Sequence, residues 1–540
     1  MIRRAIIALS LCVSAAAQTF PSPRYFRHFF VKPAQQRQLV GPGGLEQYVT
    51  DGKLRLSLSD AVRLTLENNT DVRINELQTE TARFSLQKAF GPFDPILTSN
   101  FQPTRSVSPA NSTLQGASTP SNLTQQWTSS YSQLFASGTL YQVSLSANRN
   151  ASNSSFAIFN PSISSSLSVS LTQPLLRNRG LFPNRAPILI AQRNLKQSRA
   201  DFAGRVNDSL LSAVNQYWDV VQARESLIVL RQSQTLAEAS YNHDKRALEL
   251  GAISPLDIYR SEAQVAQRKL QVIQAEYQLK QSEDAFRRTI GADLDPKIAV
   301  LDLDLTEPSD MSGEGVSTTI EDALAQAMKD RPEFESLQQQ LANDETNIKL
   351  ADNGLKPDLN LSTFYSMNGQ GGNLIDSSTG VPIVVSRGGL GDSFDQLTSR
   401  DFPTYGATLQ FRLPLRNRSA EADLGTSLVA QKRDLYRLRQ QQQAISLEVK
   451  NAVHQLEQAK LSVAAARISR DLAQKTLQAE QRKYELGTET IFFVLDAQNQ
   501  LAQAEQNLVQ AQISYQRAVT ALDHATGALI AKNNVQITNP

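Results

Sequence analysis

The residues of this chain best suited to chemistry are few and scattered. His28, His243, His454 and His524 could bind a metal or move protons, but no two of them share a helix face at ligand spacing. Cys12 is the sole cysteine and falls in a segment expected to be removed, so thiol catalysis, disulfides and cysteine–zinc sites drop out. The glycine clusters Gly41-Pro-Gly-Gly44 and Gly388-Gly-Leu-Gly391 are not expected to follow a strand and open a helix, so both read as loops and not as phosphate cradles. No acid, base and nucleophile gather in one motif, which sets a secreted enzyme behind the other classes. What does gather, at two short glycine turns, is carboxylate charge and apolar bulk: Asp257 after Gly251, and Glu489, Phe493 and Asp496 after Gly487.

Those turns occupy matching places in a duplicated chain. Leu58-Ser-Asp-Ala-Val62 is echoed by Ile320-Glu-Asp-Ala-Leu324, and Pro95 by Pro357, at an offset of 262 residues. Asn215, Leu250-Gly251, Ala285 and Gly291 are echoed by Asn451, Leu486-Gly487, Ala521 and Gly527 at an offset of 236. Gln173-Pro-Leu-Leu-Arg-Asn-Arg179 answers Leu413-Pro-Leu-Arg-Asn-Arg418, so copy one carries its 26 extra residues mainly before that point. Two long copies indicate a pseudo-symmetric fold and not a solenoid of short repeats. Repeat 1 spans residues 54–294, a linker 295–316, and repeat 2 residues 317–530, with an N-terminal extension at 18–53 and a tail at 531–540.

Charge points away from nucleic acid, since 54 Lys and Arg face 52 Asp and Glu and leave a net charge of only +2. Residues 1–17 combine Arg3 and Arg4, a short apolar run and Ala15-Ala-Ala17, the pattern of a secretory signal peptide. Leu11 stands before Cys12 where lipidation normally has a small residue, which disfavours a lipoprotein.

Four stretches alternate with period two over about ten residues, the length a tilted strand needs to cross a bilayer. They fall at about residues 95–106 and 163–174 in repeat 1 and 358–367 and 403–413 in repeat 2. Leu167, Val169 and Leu171 oppose Ser168, Ser170 and Thr172, and Tyr405, Ala407, Leu409 and Phe411 oppose Gly406, Thr408, Gln410 and Arg412. A half-buried strand of a soluble sandwich alternates in the same way. The export signal, and the lack of any apolar run near the ~18 residues of a membrane helix, favour membrane strands. Trp127 to Arg149 has room for a further hairpin, either as barrel strands or outside the cell, and the Gly- and Asp-bearing stretch from Gly369 to Gln396 is expected as a loop.

Beyond the strands the composition turns to Ala, Gln, Leu, Arg and Glu, with no proline from Ile188 to Ser254 or from Leu415 to Asn539. A helix from Ile188 to Leu250 would extend about 90 Å, far more than a globular domain is wide. Leu501, Ala504, Leu508, Ala511, Tyr515, Ala518 and Leu522 repeat at spacings of three and four, a seam for close antiparallel packing. Each long helix breaks at its glycine turn and returns, with Ser254 and Thr490 as expected N-caps and Pro255 at the first helical position.

These features together resemble the outer-membrane efflux protein family, the TolC-like channels, over about residues 54–530. The resemblance rests on the tip Tyr484-Glu-Leu-Gly-Thr-Glu-Thr-Ile-Phe-Phe-Val-Leu-Asp-Ala-Gln498, on Leu58-Ser-Asp-Ala-Val62, on Asp330-Arg-Pro-Glu333 and on the two strand-to-helix junctions. It implies an α+β membrane protein: a homotrimer whose subunits each give about four strands to one outer-membrane β-barrel, which continues into a long periplasmic α-helical coiled-coil barrel. The implied partners are a periplasmic adaptor (membrane fusion) protein, an inner-membrane transporter of RND, ABC or MFS type and outer-membrane lipid, with no cofactor. Carried over by position, the adaptor-binding tips are Leu250, Gly251 and Ala252, and Leu486, Gly487 and Thr488. Family members narrow the aperture with carboxylates six and nine residues after the second tip glycine. Asp496 matches the ninth position and Asp257 the sixth in the first tip, but Phe493 stands at the sixth in the second, where it is either an apolar constriction or tip core. Glu489 replaces a basic partner of Asp257, which leaves Arg482, Lys483 or Arg260 to hold the closed state.

The leading function is a passive exit duct for efflux or type I secretion, with no enzymatic activity. The alternative is a periplasmic coiled-coil adaptor or scaffold, which would share the helices and the export signal without needing the amphipathic strands.

Overall fold

The computed structural model describes residues 41–110, 116–251, 254–310, 318–376 and 383–533. The signal segment with Cys12, residues 18–40 of the extension, Ala252 and the end of the tail lie outside them. Copy one runs β1 (Val49–Thr50), β2 (Lys53–Leu56), α1 (Leu58–Asn68), α2 (Thr70–Ala89), β3 (Ile96–Val107), β4 (Ser121–Leu134), β5 (Leu140–Ser152), β6 (Phe159–Pro174), α3 (Leu181–Glu249) and α4 (Pro255–Thr289). After β7 (Asp302–Leu305), copy two runs α5 (Ile320–Asp330), α6 (Pro332–Leu355), β8 (Asp358–Asp376), β9 (Ile383–Ser386), α7 (Leu390–Ser399), β10 (Phe402–Arg412), α8 (Arg418–Glu485) and α9 (Ile491–Ala525), closed by α10 (Leu529–Lys532). Among the described residues, 85–192 and 343–431 form one compact unit and 41–84, 193–342 and 432–533 the other.

The duplication is visible element by element. Both α1 and α5 have 11 residues, and both α4 and α9 have 35. Each copy begins with the same cap: Ser57 Oγ accepts from the Asp60 N–H at 3.2 Å and Thr319 Oγ1 from the Asp322 N–H at 3.2 Å, which satisfies an orphan donor of each first turn.

In the first unit the strands form an antiparallel sheet of order β10-β8-β6-β5-β4-β3, with β9 paired to β8. Alternation in the sequence supplies about four strands; the sheet holds six long ones, because the hairpin at Trp127–Arg149 lies within it as parts of β4 and β5. Register gives its two faces different chemistry. Leu97, Tyr131, Val143, Val169, Tyr365 and Tyr405 lie side by side across all six strands. One residue along, on the opposite face, come Thr98, Ser130, Ser144, Ser168, Ser366 and Thr404. Hydroxyls of this second row bond across strands, Thr98 to Ser130 at 2.6 Å and Ser144 to Ser168 at 2.7 Å.

Two sequence expectations are corrected here. The stretch from Gly369 to Gln396 is mostly strand and helix among its described residues, because glycines let α7 approach the sheet backbone: a Cβ on Gly369 would lie 2.0 Å from the Ser393 carbonyl. The cluster Gly388–Gly391 does follow a strand, β9, and opens a helix, α7. The N–H of its cap, Gly389, is taken at 2.6 Å by the carboxylate of Asp392, so this helix start carries its own anion.

The second unit is helical around a small sheet, in which β2 pairs in parallel with β7 from the expected linker. Its main core forms where Tyr217 of α3 packs edge-on against Trp218 at 5.5 Å and Phe286 of α4 at 5.9 Å. The Tyr217 hydroxyl accepts from the Glu307 N–H at 3.1 Å, and burial pushes its pKa up to about 12. Phe286 is fully buried. Phe286→Ala should destabilise this unit by about 3–5 kcal/mol, read as a lowered thermal midpoint of the helical circular dichroism signal.

A second knot in this unit is ionic. Arg331, in the Asp330-Arg-Pro-Glu333 motif, meets both Glu448 oxygens at 3.2 Å and donates to the His524 carbonyl at 3.2 Å. The His524 ring lies 3.0 Å from Asp208 and 3.3 Å from Glu448. Burial acts to lower the His524 pKa, but the bonds to Glu448 and Asp208 outweigh it and hold the pKa above its usual 6.5. A pKa raised by folding contributes stability that is present below the unfolded value and lost as pH rises through the folded one. The thermal midpoint should therefore fall as pH climbs from below 6.5, and this part of the pH dependence should vanish in His524→Ala.

Candidate channel tip

The turn after α3 closes through the Leu250 N–H to the Arg246 carbonyl at 3.1 Å and the Gly251 N–H to the Leu248 carbonyl at 2.9 Å. The turn after α8 repeats this with Leu486 to Arg482 at 3.1 Å and Gly487 to Tyr484 at 2.9 Å, and adds Thr488 to Lys483 at 3.0 Å. Both closures need a left-handed residue, and Gly251 and Gly487 supply it with φ of 76° and 72°. Ser254 caps α4, accepting from the Leu256 N–H at 3.3 Å, whereas Thr490 occupies the cap position of α9 without a side-chain bond. The turns expose leucine at their apices, Leu250 at 85% and Leu486 at 74%. Ala252 lies outside the described residues.

Past the second turn α9 is two-sided. Ile491, Val494, Leu495, Ala497 and Leu501 are buried in a small core with Leu477. Phe493, at 46% exposure, is on the opposite side, edge-on to the equally open Phe492 at 5.5 Å. Asp496 is exposed on the same side and accepts from Gln500 Nε2 at 2.7 Å. The remaining charges sit beside cations of their own hairpins: Asp257 lies 3.7 Å from Arg260 and Glu489 3.7 Å from Lys483. Of the three cations named from the sequence, Arg260 and Lys483 thus pair with a carboxylate of their own hairpin.

What joins the two hairpins was missed in the sequence. Asp244 of α3 is fully buried; Tyr484 of α8 donates its hydroxyl to it at 2.9 Å, and Ser261 of α4 donates as well. Burial and the Asp244 carboxylate raise the Tyr484 pKa, so the phenol stays protonated and donates. His243 lies edge-on to the Tyr484 ring at 5.6 Å. Below it, Gln498 donates to Ser240 at 2.9 Å, and Gln264 and Arg268 both donate to Asn499. The repeat signal is silent about this network because the equivalents of Asp244 and Ser261 are Glu480 and Ala497. A lone Asp inside a seam of small and apolar residues is the one hint the chain offers.

Tyr484→Phe removes the donor and leaves the Asp244 carboxylate short of a partner in a buried place, at a cost of about 1–3 kcal/mol. Proteolysis at the tips should accelerate several-fold in Tyr484→Phe, while Tyr277→Phe, exposed and sixteen residues along α4 from Ser261, should match the wild type.

The comparisons with known proteins bear on this geometry. A family model described as "Outer membrane efflux protein" matches residues 133–292 and 323–528. Outer membrane protein TolC of Vibrio cholerae is 24% identical over 339 residues, which cover 63% of this chain and 72% of that protein. The fold is similar to the CmeC outer membrane channel of Campylobacter jejuni at a TM-score of 0.62 and 14% identity, covering 92% of this chain and 91% of that one. It is also similar to the open state of the MtrE outer membrane channel of Neisseria gonorrhoeae, with a TM-score of 0.60 and 18% identity over 87% and 89% of the two chains.

Proposed function

The chain belongs to the outer-membrane efflux protein family, a channel family and not an enzyme family, and on that basis we propose that it is the passive exit duct of a tripartite efflux or type I secretion system. The observation that carries this reading is the two-faced sheet. An apolar row unbroken across six strands suits contact with lipid, and the hydroxyl row beside it suits a water-filled lumen. No helix among the described residues is long and apolar enough to cross a membrane, and this reading gives the crossing to the paired strands. A periplasmic adaptor or scaffold would use the helical hairpins but has no need of such a sheet.

The working unit is a homotrimer, because one chain's sheet has two open edges that only further copies can close into a barrel. Helical hairpins from the subunits form the periplasmic conduit, and the turns at its end meet a periplasmic adaptor through Leu250, Gly251, Ala252, Leu486, Gly487 and Thr488. Exposed leucine at each apex suits docking onto another protein. An inner-membrane transporter of RND, ABC or MFS type supplies the energy. Phe493 and Asp496, one turn apart on the open side of α9, act as stacked rings in the trimer. The first is an apolar constriction that resists wetting, and the second a carboxylate ring that favours cations.

Single-channel conductance of the purified protein in a planar bilayer tests this. Wild type should pass small, cation-favouring currents, Phe493→Ala should conduct several-fold more, and Asp496→Ala should lose the cation preference. Unchanged conductance in both variants of a conducting trimer would remove the gate from α9. No current from a folded, inserted trimer under conditions where relatives conduct would count against the duct.

A further inference from the structure

We infer that the barrel of this protein closes with eighteen strands, not the twelve that four per subunit would give, and so forms a wider, uncharged lumen than its family resemblance implies. The inference rests on the duct reading above, and it departs from it in what the barrel can pass.

The extra width traces to copy one. β3 and β8 begin at equivalent residues, Ile96 and Asp358, one offset of 262 apart, and β6 and β10 end beside the equivalent helices. Between those limits copy two holds two long strands and copy one holds four, with β4 and β5 accounting for the surplus residues of copy one. The family match to copy one starts only at residue 133 and leaves β3 and nearly all of β4 outside it. The surplus is full sheet and not a loop lying across one. β4 pairs with β3 at every position from Ser121 to Ser132, and β5 pairs with β4 from Asn122 to Leu134 and with β6 from Leu140 to Asn150, without a bulge.

The added strands also match the sheet in side-chain chemistry. They carry Trp127, Tyr131, Val143 and Leu145 into the apolar face and Ser130 and Ser144 into the hydroxyl row. A hairpin lying outside a barrel would have no reason to keep both faces in step with its neighbours.

The occupant of the open edges is a second copy of this chain. β3 is exposed at every residue and β10 at all but one, so each presents an unpaired row of backbone donors and acceptors. The two edges are similar in length, 12 and 11 residues, and six antiparallel strands leave them running in opposite directions, as antiparallel closure requires. Neither has a charge within its middle; Arg105 and Arg412 sit near the ends. Edges meant to stay open are usually blunted by central charges or short length. Three such sheets give eighteen strands, and barrel diameter grows roughly in proportion to strand number, so the lumen is about one and a half times as wide as a twelve-stranded one. Between Asn360 and Gly372 of β8, and along the facing positions of the other strands, the polar side carries no charged residue and is mostly amide and hydroxyl, with Phe364 and Phe402 among its exceptions. Such a wall imposes neither charge selection nor a tight size limit, and it suits a bulky or uncharged cargo.

Cryo-electron microscopy of the wild-type protein in lipid nanodiscs decides the matter by counting strands. Eighteen, with β3 of each subunit beside β10 of the next, supports the inference. Twelve, with β4 and β5 outside the wall or folded into the lumen, overturns it while leaving the duct reading intact, and the absence of any closed barrel overturns both. In native membranes the pair Val143→Cys and Val169→Cys should form a disulfide under mild oxidation. The pair Leu97→Cys and Val169→Cys should not, since two strands separate them; its efficient formation would mean that β3 lies directly on β6 and the hairpin is excluded.

Discussion

Backbone hydrogen bonding in a medium without water is the constraint on which the rest of this structure depends. A strand that presents Leu97, Val143 or Val169 to lipid must pair every N–H and C=O along both of its sides, because an unpaired group there costs several kcal/mol. Within one chain β4, β5, β6 and β8 meet this condition and β3 and β10 do not. On the proposed reading the sheet is therefore incomplete by construction, and closing it with further copies would be a requirement of its chemistry before it is a matter of function. Duplication makes the requirement easy to meet. Each copy adds an even number of strands, so the two edges always run in opposite directions and identical subunits close on one another.

The same duplication explains why the helical tips are alike in backbone and unlike in side chains. Glycine in a left-handed conformation is needed wherever a long helix turns sharply back, so Gly251 and Gly487 are fixed by geometry in both copies. Nothing in the turn itself dictates what lies one or two helical turns below. There the copies diverge: the first contributes the buried carboxylate of Asp244 and the second the phenol of Tyr484 that satisfies it. A carboxylate held at zero exposure by two hydroxyl donors makes a specific joint, and one whose stability depends on both donors staying in reach.

How much of this was legible in the sequence follows from which forces are local. The start of α4 was legible because its cap, Ser254, bonds to a residue two positions on, and the strand faces because side chains alternate whatever the neighbour is. The place of the β4–β5 hairpin was not, since alternation reports an amphipathic strand without reporting its partners. Residues Gly388–Gly391 misled for a related reason: β9 is only four residues long, too short for a period to show, so the cluster looked like loop. The Asp244–Tyr484 joint spans 240 residues and breaks the repeat pattern, and only packing reveals it. Phe493 stood in the sequence between constriction and core. Its exposure beside buried Ile491, Val494 and Leu495 puts it on the open side of its own hairpin.

On the proposed reading, selection and width then belong to different parts of the chain. The sheet's polar face, with Thr98, Ser130, Ser144 and their neighbours, has no ionised group in its middle rows and can exert little force on a passing ion. The open side of α9, with Phe492, Phe493 and Asp496 within two turns, concentrates apolar surface and charge in a few ångströms. An apolar ring excludes water unless the ring widens, and a carboxylate ring acts on ions only where the passage is narrow enough to prevent screening, within about 10 Å. Both devices work only at a constriction, and both lose their effect once it dilates. On the proposed reading, a duct built this way would be selective while closed and indifferent while open, which would leave the choice of cargo to whatever protein opens it.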